Sequence, residues 1–315
     1  MGKAVTLIGN PAAGGGVQRE IHKAVSILDK SGYDVRLLLT EKRADAASFA
    51  KTITEEFKKP GSTAGVDDAR PLVIAAGGDG TCNEVANGLA CSGIPMAILP
   101  LGTTSVLARE IGVPASVEKA LDIALKKKVQ TVHLGKITFT TSNGQETRYF
   151  ILMAGIGFDG EAVFGVSETL KKRLGKGAYV LNGLKALLRY NPAPLTITAK
   201  IVLAGRPAET IINSYAAIVG NASRYGGDFT ATPDARLTEP CFHVLATHGN
   251  RRRDLLRYAL GVVFNRHLAF KDITCFSADE LLVKGNAHIQ IDGDYAGMTP
   301  ARLTIERDAL ELVVP

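Results

Sequence analysis

The stretch 72-LVIAAGGDGTCNEVANGL-89 joins five apolar residues to Gly77, Gly78, Asp79 and Gly80, then resumes an apolar rhythm after a polar run. Glycines that follow a buried strand and open a helix leave backbone N–H groups and the positive helix end aimed at one point. Proteins bind phosphate in this way. Thr81 and Glu84 have the T-x-x-E spacing of a capping box, which would start the helix here. The spacing matches neither G-x-G-x-x-G nor the Walker pattern, and no lysine follows. An aspartate facing a polyphosphate is repelled unless a divalent cation lies between them, so Asp79 points to a metal-bridged nucleotide. The competing reading is a plain turn former.

Two more turns have the same character. The segment 10-NPAAGGG-16 follows a strand and opens a helix, and 99-LPLGTTSVLARE-110 ends a strand with Gly102 and the hydroxyls Thr103, Thr104 and Ser105. All three would project from one sheet edge, where open α/β folds bind nucleotides. Farther on, 292-DGD-294 reads from spacing as a hairpin turn that also carries two carboxylates. The histidines at 22, 133, 243, 248, 267 and 288 show no metal spacing, so solvent or packing roles are expected. The cysteines at 82, 91, 241 and 275 form no CxxC pair and read as reduced packing residues.

The elements that must position these residues change character along the chain. Strands are expected at 4–9, 33–39, 72–76 and 96–99. A helix carrying Val17, Ile21, Ala24, Val25 and Leu28 on one face ends before Gly32, and another covers about 116–127. The segment 58–71 reads as a loop. This alternation argues for βαβ units around a parallel sheet. From about 132 the pattern turns strand-rich, at 132–141, 148–155, 195–205, 211–220, 242–247 and 282–292, with a helix near 171–188. The fold class expected is an α/β N-terminal domain with a parallel sheet plus a mainly antiparallel β C-terminal domain; the resemblance described below implies that this plan is NAD kinase-like. The boundaries expected are 1–131 and 132–305, with a tail at 306–315 that returns to the first domain.

A chain of 315 residues with 46% hydrophobic and 22% charged content is ordinary for a soluble globular protein. No apolar run approaches the roughly 20 residues of a membrane span, and Met1-Gly2-Lys3 leads straight into a strand-like segment. A cytoplasmic location is expected. The net charge of +6 is partly clustered at 126–128, 171–173 and 251–253, where solvated faces compete with attraction to an anionic surface. No recognised nucleic-acid-binding motif accompanies the charge, so nucleic acid is not expected as a partner.

The sequence resembles the soluble lipid kinases: bacterial diacylglycerol kinases, sphingosine kinases and ceramide kinases. The match is carried by 10-NPAAGGG-16, 77-GGDGTCNEVANGL-89, 100-PLGTTSVLA-108, 155-GIGFDGEAV-163, 173-RLGKGAYVLNGLKAL-187, 220-GNASRYGGDFTATPDA-235 and 290-QIDGDYAG-297, in family order over nearly the whole chain. The resemblance implies a two-domain enzyme whose cleft binds ATP and Mg²⁺ and passes the γ-phosphate to a lipid hydroxyl. By the same resemblance Asn10, Pro11, Ala12, Ala13, Gly14, Thr40, Gly78, Asp79, Gly80, Thr81, Asn83, Glu84 and Thr103 would contact the nucleotide. Asp79 would join a magnesium network through water. Asp292 and Asp294 would lie near the transferred phosphate, with Asp294 as general base, and Asp159 would read the acceptor head group; a surface loop aspartate is the plain alternative for Asp159.

Three departures from the family pattern stand out. Ser105 and Val106 replace an amide and a carboxylate, Asp294 stands where many relatives have Glu, and Glu239-Pro240 replaces a D-G pair that helps hold a second, structural magnesium. An NAD kinase shares the G-G-D-G-T turn, but its N-x-x-E-D motif is missing here. A catalytically inactive nucleotide- or lipid-binding regulator is the rival from outside the enzymes. The acceptor stays open among diacylglycerol, a sphingoid base and a ceramide-like lipid. Lys171, Lys172, Arg173, Lys176, Lys185 and Arg189 interleave with leucines, and 251-RRRDLLRYALGVVFNRH-267 is a second basic amphipathic run; either could touch anionic membrane during turnover. A homodimer is compatible with all of this.

Overall fold

The computed structural model describes residues 3–59, 70–164, 191–203 and 206–315. Two compact units are present: residues 1–132 together with 308–315, and residues 133–307. The helix expected near 171–188, with its basic face from Lys171 to Arg189, lies outside the described residues, as does most of the 58–71 loop.

The first unit runs β1 (Lys3–Gly9), α1 (Val17–Lys30), β2 (Tyr33–Leu39), α2 (Asp45–Phe57), β3 (Leu72–Gly77), α3 (Asp79–Leu89), β4 (Pro95–Pro100), α4 (Val106–Glu110) and α5 (Val117–Lys126). Its strands pair in parallel in the order β2-β1-β3-β4, and Glu311 and Leu312 add a further parallel neighbour to β4. Every residue of β3 and β4 is buried, as expected for parallel strands covered on both faces. The helix α1 buries Val17, Ile21, Ala24 and Leu28 at helical spacing. Helix α2 was not legible in the sequence. Its buried stripe is Ala46, Ala50, Ile53 and Thr54, too weakly apolar to stand out.

The second unit contains β5 (Val129–Thr141, entering from the first unit), β6 (Gly144–Phe150), β7 (Met153–Ile156), α6 (Phe158–Val163), β8 (Leu195–Leu203), β9 (Arg206–Ser214), β10 (Ala216–Gly220), β11 (Arg224–Tyr225), β12 (Phe229–Thr230), β13 (Phe242–Thr247), α7 (Arg252–Val263), β14 (Ile273–Ala278), β15 (Glu280–Lys284), β16 (His288–Ile291) and β17 (Asp294–Val313). The strand β17 continues into the residues of the first unit. Antiparallel pairing links β14-β13-β10-β7-β16-β17, and the core includes Phe139, Phe150 and Phe242, with the last two rings stacked 5.6 Å apart. The fold is therefore the α/β unit and mainly antiparallel β unit that the sequence led us to expect.

Two strands expected as continuous are broken for local reasons. The 148–155 segment splits at Ile151 and Leu152 because their N–H groups turn to a carboxylate, that of Asp292. The 282–292 segment splits at Gly285–Ala287, where Thr299 Oγ1 accepts from Ala287 N and donates to the Gly285 carbonyl. Strands β14 and β17 were not anticipated at all.

Candidate active site

In the first unit the expected turns leave the carboxyl ends of β1, β3 and β4, and backbone bonds tie them together. Asn10 N donates to the Ala76 carbonyl at 3.0 Å, and Leu101 N and Gly102 N both donate to the Gly77 carbonyl at 2.9 and 3.0 Å. The Asn10 side chain accepts from Ala12 N at 2.9 Å and donates to Thr81 Oγ1 at 3.4 Å. Gly14 lies against the turn after β4: a Cβ on it would sit 4.0 Å from the Leu101 carbonyl. Thr40 N donates to the Gly9 carbonyl at 2.9 Å. Asn10 to Gly14, Thr40, Gly78 to Thr81 and Thr103 thus belong to one group of strand ends, with Thr103 exposed. The first N–H groups of α3, which begins at Asp79 with Gly78 as N-cap, have no partner within their own helix.

Two residues expected at the nucleotide also hold helices, one at the start of α2 and one within α3. Glu84 accepts from Ala44 N at 3.0 Å and Ala46 N at 3.2 Å, so it caps α2. The capping box expected from Thr81 and Glu84 is not formed, because α3 begins three residues earlier than that spacing requires. Asn83 accepts from Asn87 Nδ2 at 3.1 Å, one turn along the same helix. The Asp79 carboxylate takes Val106 N at 3.0 Å and Leu107 N at 2.9 Å, at the start of α4. Burial pushes its pKa above the ordinary aspartate value, against the pull of those N–H groups. Ser105, at φ 46°, turns the chain so that both N–H groups face Asp79.

These bonds constrain how a magnesium ion would fit. Each Asp79 oxygen accepts one of these backbone N–H groups and has a second lone pair, which suits contact through metal-bound water better than direct coordination.

In the second unit, Asp292 and Gly293 have φ 48° and 88° and link β16 to β17 as a two-residue hairpin turn, with Ile291 opposite Asp294. The Asp292 carboxylate accepts from Ile151 N, Leu152 N and Met153 N at 2.8, 2.9 and 2.9 Å. It is an anchor for the turn, and Asp294 is the carboxylate that the turn presents as β17 begins. Asp159 lies in the first turn of α6, not on a surface loop, and a Cβ on Gly155 would come within 1.8 Å of its Oδ2. It accepts from Tyr225 Oη and, at 2.6 Å, from Gln290 Nε2. Burial raises its pKa and, with the Asp159 charge beside it, holds the Tyr225 phenol well above its usual range. Gln290 Oε1 in turn accepts from Gly293 N at 2.7 Å. Asp159 is thus joined to the 292–294 turn. Sequence reasoning gave Gln290 and Tyr225 no role, although both lie in blocks that carry the resemblance; nothing in an amide or a phenol names its partner until the fold brings it to a buried acid.

Other expectations also change. Cys82 is buried, but Cys91 and Cys275 are exposed: Cys91 sits in the positive-φ turn after α3 and Cys275 on the sheet's outermost strand β14. Glu239, Cys241 and His243 bring one donor atom each within 4.8 Å of one another. Glu239 and Cys241 lie just before β13 and His243 within it, at i, i+2, i+4 spacing.

The two units have the NAD kinase-like plan of an α/β domain followed by a β sandwich-like domain. A yeast NADH kinase in complex with NADH superimposes with a TM-score of 0.52 at 12% identity over 100% of this chain and 84% of that one, which speaks for the fold alone. The model of the diacylglycerol kinase catalytic domain matches residues 4–137, and that of the YegS C-terminal NAD kinase beta sandwich-like domain matches residues 153–314. The chain belongs to this family of diacylglycerol kinase-like lipid kinases. It is 28% identical to a diacylglycerol kinase of Bacillus subtilis over 99% of this chain and 97% of that protein. It is 27% identical to one from Mycobacterium tuberculosis over 99% and 95%. A crystal structure of a diacylglycerol kinase from Bacillus anthracis matches with a TM-score of 0.71 at 23% identity, covering 100% and 98%.

Proposed function

We propose that the protein is an ATP-dependent lipid kinase that transfers the γ-phosphate to the hydroxyl of diacylglycerol, a sphingoid base or a ceramide-like acceptor. The observation that carries this reading is the junction of three glycine turns at the ends of β1, β3 and β4, bonded to one another through Asn10, Ala76, Gly77 and Gly102. Backbone N–H groups of such turns hold phosphate without having to reorganise during the reaction. Asn10 to Gly14, Thr40, Gly78 to Thr81 and Thr103 would form the nucleotide site. Glu84 and Asn83 act at one remove, by fixing α2 and α3.

Magnesium, when bound, offsets the negative charge of the phosphates, and Asp79 would hold it through water. The lipid oxygen bonds to the γ-phosphorus while the bond from that phosphorus to the β-bridging oxygen breaks, and ADP leaves. Asp294 accepts the hydroxyl proton. Asp292 holds the turn that carries Asp294. Asp159 acts as a positioning residue through Gln290 rather than as a direct reader of the head group.

The lipid acceptor resides in a membrane, so the reading includes peripheral contact with anionic membrane by an otherwise cytoplasmic protein. The deciding experiment is transfer of labelled γ-phosphate from ATP to a panel of detergent-dispersed lipids, comparing wild type with Asp294→Asn and Asp79→Asn. A labelled lipid lost in both variants supports the reading and names the acceptor. Bound ATP with no labelled lipid would favour the inactive regulator, and NAD would be the next acceptor to test.

A further inference from the structure

The helix α7 buries one face and leaves a second apolar face uncovered. Leu255, Tyr258 and Val262 face inward, with Phe158, Phe270 and Ile273 packed against Leu255 and Tyr258. Leu256, Leu260, Val263 and Phe264 point outward, Phe264 being 68% exposed, and Leu268 follows in the next turn. The spacing 256, 260, 263, 264 is one helical stripe, so these exposures form one surface. A shallow groove of about 290 Å³ runs along it between Leu256, Leu260 and Phe264, flanked by Arg253 and Arg266. Exposed apolar side chains gathered in this way mark an interaction surface.

The charge around the stripe selects the occupant. Arg251, Arg252, Arg253, Arg257 and Arg266 lie on or beside α7, and Asp254 is the one acid from 251 to 270. Asp254 is turned to the helix start, where it accepts from Arg251 N at 3.2 Å. Arg257 is held by Asp272 and lies over the rings of Tyr258 and Phe270; Arg253 Nε is 4.0 Å from Asp254 Oδ1 yet 74% exposed, so Arg251, Arg252, Arg266 and, in part, Arg253 carry the outward charge. A second copy docked on the same patch across a two-fold axis would set arginines against arginines. A bilayer containing anionic lipid neutralises them and takes up the leucines and phenylalanine at the headgroup boundary.

We infer that the outer face of α7, built on Leu256, Leu260, Val263, Phe264 and Leu268 with Arg252, Arg253 and Arg266, docks on anionic bilayers. The inference rests on the reading of the acceptor as a lipid, and it gives the enzyme a means of reaching that acceptor in place. The dock is hydrophobic and electrostatic together, so binding weakens with salt without vanishing.

The test is co-sedimentation with vesicles of equal parts phosphatidylglycerol and phosphatidylcholine, compared with phosphatidylcholine alone. The proteins are wild type, the triple variant Leu256→Ser, Leu260→Ser, Phe264→Ser, and the triple variant Arg252→Glu, Arg253→Glu, Arg266→Glu. Wild type should prefer the anionic vesicles, and each variant should lose about tenfold or more in partitioning. Transfer to detergent-dispersed lipid should stay at the wild-type rate in both variants, which separates docking from folding and from chemistry. Unchanged partitioning in both variants overturns the inference. So does an apolar variant that turns a dimer into a monomer in the ultracentrifuge while still binding vesicles, because the stripe would then belong to a second copy. Vesicle binding lost in the variants, with no lipid phosphorylated by any of the three proteins, would support docking and count against the kinase reading instead.

Discussion

Gly78 and Gly102 meet backbone to backbone: a Cβ on Gly102 would lie 2.4 Å from the Gly78 Cα. The turn after β4 can lie this close only because Gly102 has no side chain; a Cβ on Gly78 would meet the Gly102 Cα at an ordinary 3.5 Å. Gly102→Ala must push the turn after β4 away from the turn after β3, at a cost of about 1–3 kcal/mol, as for other overpacked sites. Thermal unfolding and calorimetric ATP titration check this together. Stability and ATP affinity should both fall, whereas unchanged ATP affinity would remove these turns from the nucleotide site.

The two aspartates of the β16–β17 turn should separate cleanly. Asp292→Ala deprives Ile151, Leu152 and Met153 of their acceptor and should cost about 2–4 kcal/mol of stability, because charged hydrogen bonds are lost and buried donors are stranded. Asp294→Asn should change stability by no more than about 0.5 kcal/mol. It should slow phosphoryl transfer by about 10²–10⁴-fold, the usual contribution of a general base. Urea unfolding and the labelled-lipid assay measure the two effects. Equal loss of transfer in two stably folded variants would restore Asp292 to direct contact with the reacting groups.

Glu84 should behave as a helix cap. Glu84→Ala removes the acceptor for Ala44 N and Ala46 N and should destabilise the protein by about 1 kcal/mol. ATP affinity measured by calorimetry should stay within a factor of two or three of wild type. A hundredfold loss would return Glu84 to the nucleotide.

Asp159 gives a pH dependence with a definite sign. Burial raises its folded-state pKa above the ordinary value of 3.8, so the folded protein holds this proton more tightly than the unfolded chain. The resulting stabilisation is present below the unfolded pKa and is lost as pH rises through the folded one. Asp159→Asn removes this dependence. Urea unfolding of both proteins across the acid range should therefore show the stability of wild type relative to the variant falling as pH rises. A difference that is flat or rising would mean that the buried acid is held as a carboxylate with no net penalty.

The parallel sheet and its turns were legible because their signals are local. Buried runs such as 72–77 and 95–100 are apolar at every position, and glycines at their ends admit few other readings. The aspartates were legible as motif members, but their partners were not. That Asp292 accepts from residues 151–153, and that Gln290 joins Asp159 to Gly293, depends on pairings between strands more than a hundred residues apart in part, which no spacing rule encodes. Helix α2 hid for a different reason: alanines carry its buried stripe, and its start is fixed by Glu84, 38 positions beyond Ala46.

The first unit is made of residues 1–132 and 308–315, and residues 133–307 are spelled out between its two pieces. During synthesis the ribosome therefore releases four of its parallel strands long before the segment that pairs with Pro95 and Met96. Until then β4 has an open edge, and the glycine turns at the strand ends rest on an unfinished sheet. The first unit can reach its final form only after the second has been translated, an order of assembly written into the gene.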